Sequence, residues 1–467
     1  MPPDERTISY VDTTGAGAGR SFVAPYLVVA IHCRTPTVPP ARFSIAEVQD
    51  VVLARGNKRE LSRYTEDGRG RLRITLADSL LSTEHARLVK TGNTWFVEDA
   101  GSKNGTHVNG KRVDRRRLED GDVIEIGSTL LLFRCEVSRT VGDPLDVDLT
   151  DSLGPITALS TLSVPLDHDF ARLRRIAASE APVLLLGDSG TGKEVVAREV
   201  HRLSGRRGAF TALNCGAIPQ NLVESQLFGH RRGAFSGADT SNKGLVRAAD
   251  GGTLFLDEVA ELSEPPQIAL LRALQEGEVV PIGENRPIPV DVRVIAATHA
   301  PLRARADAGK FRHDLFSRLA GFELKLPPLC DRREDIGLLV SSLLQRHAGA
   351  GADRVTLTRS AARALLNYHW PMNIRELEHA LRAAILIAGD GAIDLEHLPA
   401  AVRKARKKPT APPARPPDVE VEYDELVELL RRYRGNVSAV ARDIGRSRVH
   451  VHRKLKRYEI DPTKFRP

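Results

Sequence analysis

Short runs of alternating apolar and polar residues fill the first third of the chain, and turn-forming residues separate them. Between Tyr26 and Cys135 these runs include YLVVAI, RLRITLAD, TWFVED and DVIEIG, which are typical of the strands of a β-sandwich. From about residue 156 to Ala400, strands such as VLLLG and TLFLDE alternate with helical patterns. That alternation predicts an α/β domain with a largely parallel sheet. Residues 420–460 have helical periodicity.

Changes in composition between these segments predict a multidomain chain that is first all-β, then α/β and finally all-α. Residues 143–155 are polar and residues 403–417 are basic and proline-rich, so both are expected to be linkers. The predicted order is a disordered tail (1–25), a β-sandwich (26–136), a linker (137–155), an α/β subdomain (156–326), a helical lid subdomain (327–400), a basic Pro-rich linker (401–419) and a helix-turn-helix domain (420–467).

Positive charge is concentrated at the C-terminal end of the sequence. The 467 residues have a formal net charge of +8, whereas residues 403–467 alone hold 18 Lys and Arg against 9 Asp and Glu, a net of +9. This asymmetry favours a nucleic-acid-binding tail over a merely solubilising one. The sequence shows neither a signal-peptide pattern nor an apolar run of the roughly 18 residues that a membrane helix needs. Its four cysteines are scattered, so we expect a cytoplasmic protein.

The segment GDSGTGKE, residues 187–194, follows an apolar strand and precedes the helical pattern EVVAREVHRL. A glycine-rich loop in this context predicts a Walker A phosphate-binding loop. Its glycines allow backbone N–H groups to face phosphates, and Lys193 neutralises their charge. The predicted nucleotide-binding residues here are Gly187, Asp188, Ser189, Gly190, Thr191, Gly192, Lys193 and Glu194.

A second motif, GGTLFLDE at residues 251–258, is an apolar strand that ends in two carboxylates. It matches a Walker B strand. Asp257 would hold Mg²⁺ and Glu258 would polarise the attacking water. The alternative is a pair of acidic residues at a solvated strand end, and the upstream loop makes that alternative the weaker one. ATP and Mg²⁺ are therefore the expected cofactors.

The hexapeptide GAFSGA, residues 233–238, combines two glycines with an aromatic residue at a loop tip, where an apolar side chain suggests a partner surface. With the Walker motifs, it resembles the bacterial enhancer-binding proteins, AAA+ ATPases that remodel RNA polymerase carrying sigma-54. The family loop is GAFTGA, so Ser236 retains the hydroxyl and loses the methyl group. The resemblance implies contact with sigma-54 through Gly233, Ala234, Phe235, Ser236, Gly237 and Ala238.

The same resemblance implies roles for further residues of the ATPase core. Asn214, in an LNC strand, would restrain Glu258, and Thr298 would act as sensor I, where His299 replaces the family's Asn. Arg312 and Arg318 would act in trans as arginine fingers, which implies a ring, taken as a homohexamer with a dimer as its inactive state. Arg375 would contact nucleotide from a sensor II helix. Departures from the family pattern occur at Pro281, Cys330 and Met372.

Three local patterns in the N-terminal sandwich resemble a forkhead-associated (FHA) domain, a phosphothreonine-binding module. They are ARG (54–56), STEHARL (82–88) and GSKNGTHVNG (101–110). The resemblance implies that Arg55, Ser82 and Thr83 bind phosphate and that Asn104 holds the peptide backbone. His85 and Asn109 are expected to be structural.

The implied ligand of the sandwich is a threonine-phosphorylated protein, the product of a Ser/Thr kinase, or the chain's own tail, where Thr7, Thr13 and Thr14 are candidates. Ala54 replaces the usual glycine, and Thr83 replaces a residue that is often basic. The alternative to phosphopeptide binding is a sandwich that only mediates oligomer contacts.

The C-terminal pattern LVELLRRYRGNVSAVARDIGRSRVHVHRKLKRYEI predicts a helix-turn-helix in which Asn436 caps the second helix. It resembles the Fis-type domain of the same family. Its density of Lys and Arg suits phosphate neutralisation. The predicted DNA-binding residues are Arg446, Ser447, Arg448, His450, His452, Arg453 and Lys454.

Together these features predict a sigma-54-dependent transcriptional activator. Its tail would bind an upstream enhancer, its AAA+ ring would hydrolyse ATP, and its sandwich would sense phosphothreonine. Two other classes stay open. One is a DNA-binding regulator that binds ATP and acts without sigma-54. The other is a phosphopeptide-binding adaptor with an inactive ATPase, against which the intact Lys193, Asp257 and Glu258 argue.

Overall fold

A computed structural model describes residues 21–140, 143–150, 157–234, 239–389 and 391–405, and in the C-terminal segment residues 429, 430, 433, 435–443, 451, 455 and 462–465. The chain divides into two compact units, Met1–Lys408 and Pro409–Pro467. Among the described residues, no helix combines the length and the apolar character needed to cross a membrane.

Alternation along the N-terminal strands places every second side chain in a core between two sheets. In the strand Arg69–Leu76, Leu72 and Ile74 are buried, while Arg71 and Arg73 stay partly exposed. The strands of this sandwich are β1 Ser21–His32, β2 Ala41–Ser44, β3 Asp50–Arg55, β4 Glu60–Glu66, β5 Arg69–Leu76, β6 Ala86–Thr91, β7 Thr94–Asp99, β8 Thr106–Val108, β9 Lys111–Val113, β10 Arg115–Arg117, β11 Val123–Ile126, β12 Thr129–Thr140 and β13 Asp146–Asp148.

One sheet has the order β13-β2-β1-β12-β11-β8-β9, and the other has the order β10-β7-β6-β3-β5-β4. The described neighbours pair antiparallel except β3 and β5, which are parallel. Leu27, Phe43, Leu53, Ile74 and Phe133 are among the residues that fill the space between the sheets. The predicted all-β sandwich is confirmed.

The sandwich extends beyond its predicted ends on both sides. Strand β1 begins at Ser21, inside the predicted tail, because its first residues pair with the end of β12. Strand β13 lies inside the predicted linker 137–155 and pairs with β2. Arg63 holds it with a 2.6 Å contact to Asp146. A linker was predicted because this segment is polar. In the structure, however, its polar side chains form ion pairs with the sandwich.

A five-stranded parallel sheet of order β15-β16-β19-β14-β20 organises the central α/β domain. Helices cover both faces of this sheet, so its strands are buried and consist of near-continuous apolar runs. The strands are β14 Val183–Leu186, β15 Phe210–Asn214, β16 Thr253–Asp257, β19 Arg293–Thr298 and β20 Phe322–Lys325, with a hairpin of β17 Glu278–Val279 and β18 Ile288–Pro289. The helices are α1 Val164–Ala177, α2 Lys193–Ser204, α3 Gln220–Phe228, α4 Leu245–Ala248, α5 Glu264–Glu276, α6 Leu302–Asp307 and α7 His313–Leu319, with a 3-10 turn at Val259–Glu261.

A helical subdomain follows the sheet. Its helices are α8 Ile336–Ala348, α9 Arg359–Asn367, α10 Asn373–Ala388 and α11 Ala400–Arg403, joined in part by 3-10 turns at Leu329–Asp331, Arg333–Asp335, Gly349–Arg354 and Leu395–His397. Its apolar core is continuous with the outer face of the β1/β12 sheet. Leu343, Leu344 and Leu365 pack in one cluster with Val28 and Leu132. The sandwich and the helical subdomain therefore share a core.

In the C-terminal unit, the described residues include helix α12 Val437–Asp443 and a 3-10 turn at Pro462–Phe465. Asn436 caps α12, because its Oδ1 accepts from the backbone N–H groups of Ser438 at 3.1 Å and Ala439 at 3.2 Å. This confirms the predicted cap. Leu430, Val437, Val440, Ala441, Val451 and Leu455 form a small apolar cluster.

Candidate functional site

The Walker A loop connects β14 to α2 at the carboxyl end of the parallel sheet. Gly190 and Gly192 have φ angles of 78° and 101°, which other residues rarely adopt. A Cβ at Gly190 would lie 2.2 Å from the carbonyl oxygen of Met372, so the loop also needs glycine for close approach. Lys193 is buried, and its ammonium donates to the carbonyls of Gly187 at 2.7 Å and Asp188 at 3.2 Å. This keeps a positive charge at the centre of the loop.

The two acidic residues of the second motif end β16, which is adjacent to β19 in the sheet. Burial raises the pKa of Asp257, and the neighbouring Glu258 carboxylate raises it further, while Lys193 opposes both effects. Glu258 has a left-handed backbone with φ 52° and ψ 46°, which is uncommon for a residue with a side chain. Such strain is typical of residues that their surroundings hold in a functional position.

The residue that contacts Glu258 is not the one expected. Asn214 donates from Nδ2 to Asp257 Oδ2 at 3.3 Å, so it holds the neighbouring carboxylate. Glu258 Oε2 instead lies 2.7 Å from Nδ1 of His299, and 3.5 Å from the Thr298 hydroxyl. The predicted Asn214–Glu258 contact is therefore corrected. The cause is the turn after Asp257, which directs the Glu258 side chain towards the end of β19 rather than β15.

A cavity of about 490 Å³ lies between the phosphate loop and the ends of these strands. Asp188, Ser189, Asn214, Glu258 and His299 line it, together with Gly216 and Ala217. The structure thus brings the phosphate loop, the end of β15, the end of β16 and the end of β19 to one place. Polar groups at the carboxyl ends of neighbouring parallel strands are the usual location of ligand sites in such sheets.

The helical subdomain reaches the phosphate loop through polar contacts. Arg375 Nη1 donates to Ser189 Oγ at 3.1 Å, and Asn373 Nδ2 donates to the Ser189 carbonyl at 2.9 Å. Arg332 is buried and donates from Nη2 to the Thr191 carbonyl at 2.7 Å. Sequence reasoning identified Arg375 and missed the other two. Asn373 has φ 55°, and an Asn beside a helix start is one signal for such a conformation.

Arg312 immediately precedes α7, and Arg318 lies within that helix. Arg312 forms a 2.7 Å ion pair with Asp314, and Arg318 Nη2 donates to the Leu274 carbonyl at 3.1 Å. In the described part of the chain, neither bonds to the phosphate loop of the same molecule. Their placement is compatible with the prediction that they act on a neighbouring subunit, which stays a prediction.

Only the first two residues of the GAFSGA loop belong to the described residues. Gly233 has φ 81°, and Ala234 N–H donates to the Arg231 carbonyl at 3.2 Å. The loop base is held by bridges from His230 to Asn242 and to Ile282. Phe235, Ser236, Gly237 and Ala238 lie outside the described residues.

The residues expected to bind phosphothreonine meet at one end of the sandwich. The backbone N–H of Arg55 donates to the Ser82 carbonyl at 3.0 Å, and the Ser82 hydroxyl accepts from the Lys103 N–H at 3.1 Å. Asn104 donates from Nδ2 to the Leu80 carbonyl at 2.7 Å. Arg55 and Asn104 are exposed. Lys103 is an exposed cation that sequence reasoning missed.

Arg73 is a second cation that sequence reasoning missed at this end of the sandwich. Its Nη2 donates to the Thr83 carbonyl at 3.4 Å. It follows from the alternation along β5, which places it next to the predicted phosphate-binding loop. With Arg55 and Lys103, it makes the surroundings of Ser82 and Thr83 positively charged.

The two residues expected to be structural are buried or bonded as predicted. His85 is fully buried, its Nδ1 accepts from Ser82 N–H at 3.2 Å, and its Nε2 lies 3.3 Å from the Gly105 carbonyl. Burial lowers the pKa of His85. Asn109 donates to Asp122 at 2.7 Å and accepts from Val123 N–H at 3.0 Å.

The predicted DNA-binding residues Arg446, Ser447, Arg448, His450, His452, Arg453 and Lys454 lie outside the described residues. The described part of this unit therefore supports the capped helix α12 and its apolar side only.

Four family models match the chain. They are the Sigma-54 interaction domain at residues 161–325, the AAA+ ATPase lid domain at residues 330–415, the FHA domain at residues 67–127, and the bacterial regulatory protein, Fis family, at residues 419–458.

Curated relatives match about two thirds of the chain. Transcriptional regulatory protein ZraR of Escherichia coli (strain K12) is 43% identical over 297 residues, which are 63% of this chain and 67% of that protein. Hydrogenase transcriptional regulatory protein HoxA of Cupriavidus necator is 41% identical, over 64% of each chain. The acetoin catabolism regulatory protein of Cupriavidus necator is 41% identical over 65% of this chain, which spans about half (47%) of that relative.

Among solved structures, NtrX from Brucella abortus in complex with ADP is 30% identical, with a TM-score of 0.49, and the match covers 64% of this chain and 69% of that one. The FHA domain of CT664 protein from Chlamydia trachomatis is 22% identical, with a TM-score of 0.18, over 24% of this chain and 97% of that one.

Proposed function

Since the chain belongs to the family of sigma-54-dependent transcriptional activators, with an AAA+ ATPase as its central domain, we propose that it uses ATP hydrolysis to remodel the closed complex of sigma-54 RNA polymerase. The observation that carries this proposal is the convergence of Lys193, Asp257, Glu258 and Arg375 around one phosphate loop. The loop that would contact sigma-54 leaves the same domain at Gly233.

The phosphate loop suits the triphosphate of ATP. Lys193 and the N–H groups at the start of α2 would hold the phosphates, because they present positive charge at a helix N-terminus. Arg375, in the helical subdomain, bonds to Ser189 of the loop and would contact the nucleotide from there. The Glu258 carboxylate lines the cavity. It would accept a hydrogen bond from the attacking water and so orient that water.

The acidic pair suits a divalent cation. Burial and the Glu258 charge raise the pKa of Asp257, so a nearby cation would offset an unfavourable concentration of negative charge. Asp257 would hold Mg²⁺, with Asn214 fixing its carboxylate. When bound, Mg²⁺ would neutralise charge on the phosphate oxygens.

Work on sigma-54 would be done by the loop 233–238, whose tip contains Phe235. An aromatic residue flanked by glycines in the sequence fits a segment that contacts a protein partner. Arg312 and Arg318 would complete the site of a neighbouring subunit, so we propose a homohexameric ring as the active form and a dimer as the inactive form. We also propose the cytoplasm as its location, because DNA and RNA polymerase are found there.

We further propose that the sandwich senses a phosphothreonine and that the C-terminal unit binds enhancer DNA. Arg55, Ser82, Lys103 and Asn104 meet at one exposed edge, and charge-assisted hydrogen bonds from such groups bind phosphate well. The ligand would be a threonine-phosphorylated protein, made by a Ser/Thr kinase, or a phosphorylated segment of this chain. The basic residues between Arg446 and Lys454 would contact DNA.

The experiment is ATP-dependent open-complex formation by sigma-54 RNA polymerase in the presence of the full chain. The wild type should form open complexes with ATP, and Glu258→Gln should bind ATP without forming them. ATP hydrolysis by the wild type without any open complex would favour the alternative, a DNA-binding regulator that acts without sigma-54.

A separate experiment tests the sensing proposal. Arg55→Ala should abolish binding of phosphothreonine peptides to the full chain, because the guanidinium supplies the principal charge on the phosphate. Arg115→Ala is the control, since Arg115 is an exposed residue of β10 in the same sheet. Equal affinity of Arg55→Ala and wild type would refute the sensing proposal.

A further inference from the structure

A cleft opens where the sandwich and the helical subdomain meet, beside their shared core. Backbone contacts join the two sides there, because the Leu357 N–H donates to the Cys33 carbonyl at 2.7 Å. Ser341 Oγ adds a 2.7 Å bond to the Thr37 carbonyl. The cleft has a volume of about 290 Å³. The sandwich and the helical subdomain both contribute residues to its walls, so a ligand in the cleft would contact both of them.

The sandwich side of the cleft adjoins the proposed phosphothreonine site. Leu80 and Asn104 line the cleft, and Asn104 Nδ2 donates to the Leu80 carbonyl at 2.7 Å. Asn104 is also the residue proposed to hold the backbone of a phosphopeptide. A peptide whose phosphate lies at Arg55 and Ser82 and whose backbone passes Asn104 would therefore place part of its flank in the cleft.

Two arginines make the cleft positively charged. Arg34 comes from the sandwich and Arg359 from the first residue of α9 in the helical subdomain, and both are exposed. Arg34 Nη1 donates to Ser79 Oγ at 3.1 Å. Over the described ranges, neither arginine forms an ion pair, and the cleft lining contains no Asp or Glu. Two unpaired guanidinium groups that line one cleft fit a carboxylate, which can accept two hydrogen bonds from each.

We propose that this cleft is a second subsite, which binds an acidic side chain in the flank of the phosphothreonine ligand and bridges the sandwich to the AAA+ lid. The proposal rests on the proposed phosphothreonine recognition and deepens it, since it assigns the ligand an acidic flank and gives Arg359 a binding role. The same lid contacts the phosphate loop through Arg332 and Thr191. A ligand held at both walls would thus reach the subdomain that contacts the nucleotide site.

The test measures binding of short phosphothreonine peptides to the full chain by fluorescence anisotropy. The parent peptide has alanine at every flanking position, and each of the others replaces one alanine with aspartate. At one position the aspartate should tighten binding to the wild type about tenfold, as charge-assisted hydrogen bonds of this kind do. Arg359→Gln should bind the parent peptide as the wild type does and lose the preference for aspartate.

Matched variants separate this proposal from the one on which it rests. Arg354→Gln changes an exposed arginine of the same subdomain that does not line the cleft, so it should retain the preference. Arg55→Ala should lose every phosphopeptide. A full aspartate preference in Arg359→Gln, or no preference at any position in the wild type, would overturn the subsite while leaving phosphothreonine binding intact. A wild type that binds none of the peptides would overturn both.

Discussion

His299 and Glu258 form a pair at the end of two adjacent strands, with 2.7 Å between His299 Nδ1 and Glu258 Oε2. Glu258 has a left-handed backbone, and His299 follows the last residue of β19. Asn214, the residue expected to hold Glu258, instead holds Asp257. The orientation of the Glu258 carboxylate, which we propose polarises the attacking water, therefore depends on a histidine in this chain.

Replacing His299 should slow ATP hydrolysis without weakening ATP binding. In His299→Ala the Glu258 carboxylate loses its 2.7 Å partner, and we expect kcat to fall roughly tenfold with KM nearly unchanged. His299→Asn keeps a hydrogen-bonding group and should stay within about twofold of the wild type. Steady-state ATPase assays measure both. A His299→Ala protein as fast as the wild type would show that the pair does not orient Glu258.

Lys193 should be essential for turnover. Its ammonium is the cation at the centre of the phosphate loop, so Lys193→Ala should lower kcat/KM for ATP by at least about 10²-fold. Arg202→Ala is the control, because Arg202 is an exposed residue of α2 that forms an ion pair with Glu199. Circular dichroism should show both variants folded. Retained activity in Lys193→Ala would remove the phosphate loop from the mechanism.

Asp335 should make the free energy of unfolding of the protein depend on pH. Burial raises the pKa of Asp335 from 3.8 to about 6, although Thr161 and the Leu162 N–H donate to its carboxylate at 2.6 Å each. The native state therefore holds the proton more tightly than the unfolded chain. The resulting stabilisation is complete below pH 3.8 and is lost as the pH rises through about 6.

Asp335→Asn removes this titration. Its free energy of unfolding, relative to that of the wild type, should rise by about 2 kcal/mol between pH 4 and pH 7, because one pKa unit corresponds to about 1.4 kcal/mol and part of the change lies below pH 4. Urea denaturation at several pH values measures the difference. A difference that stays constant over this range would contradict the assignment.

Gly337 should be required for the contact between the sandwich and the helical subdomain. A Cβ there would lie 1.9 Å from the Ala30 carbonyl oxygen, so Gly337→Ala must displace β1 from α8. We expect the Leu357 amide, which bonds to Cys33, to exchange its hydrogen at least about tenfold faster.

Gly351→Ala is the control for this change, because its Cβ would have only ordinary contact, 3.6 Å from Arg354. Hydrogen exchange measured by mass spectrometry compares the two variants. Unchanged protection of Leu357 in Gly337→Ala would show that the interface tolerates the extra atom.

Local sequence patterns predicted the fold class and the glycine-rich loop between β14 and α2, because their determinants are close in the chain. The glycines of residues 187–192 and Lys193 lie within seven consecutive residues. The alternation along β5 is visible without knowing which strands pair with it. The Asn436 cap is likewise a short-range signal.

Contacts between distant residues could not be predicted in this way. The partner of Glu258 depends on a left-handed turn, which the sequence does not specify. Strand β13 pairs with a strand about 100 residues earlier, as the 102-residue separation of Ser44 and Asp146 shows. The shared core of Val28 and Leu344 likewise depends on the packing of two domains.

We propose that the ATPase acts on sigma-54, and trapping a complex of the two proteins tests this most directly. The full chain would be mixed with purified sigma-54 and a phosphoryl transition-state analogue and separated by size. We predict a stable complex for the wild type and for Val280→Ala, which shortens an exposed apolar side chain outside the loop 233–238. Phe235→Ala should lose the complex and keep ATP hydrolysis. ATP hydrolysis by the wild type with no complex would contradict the claim.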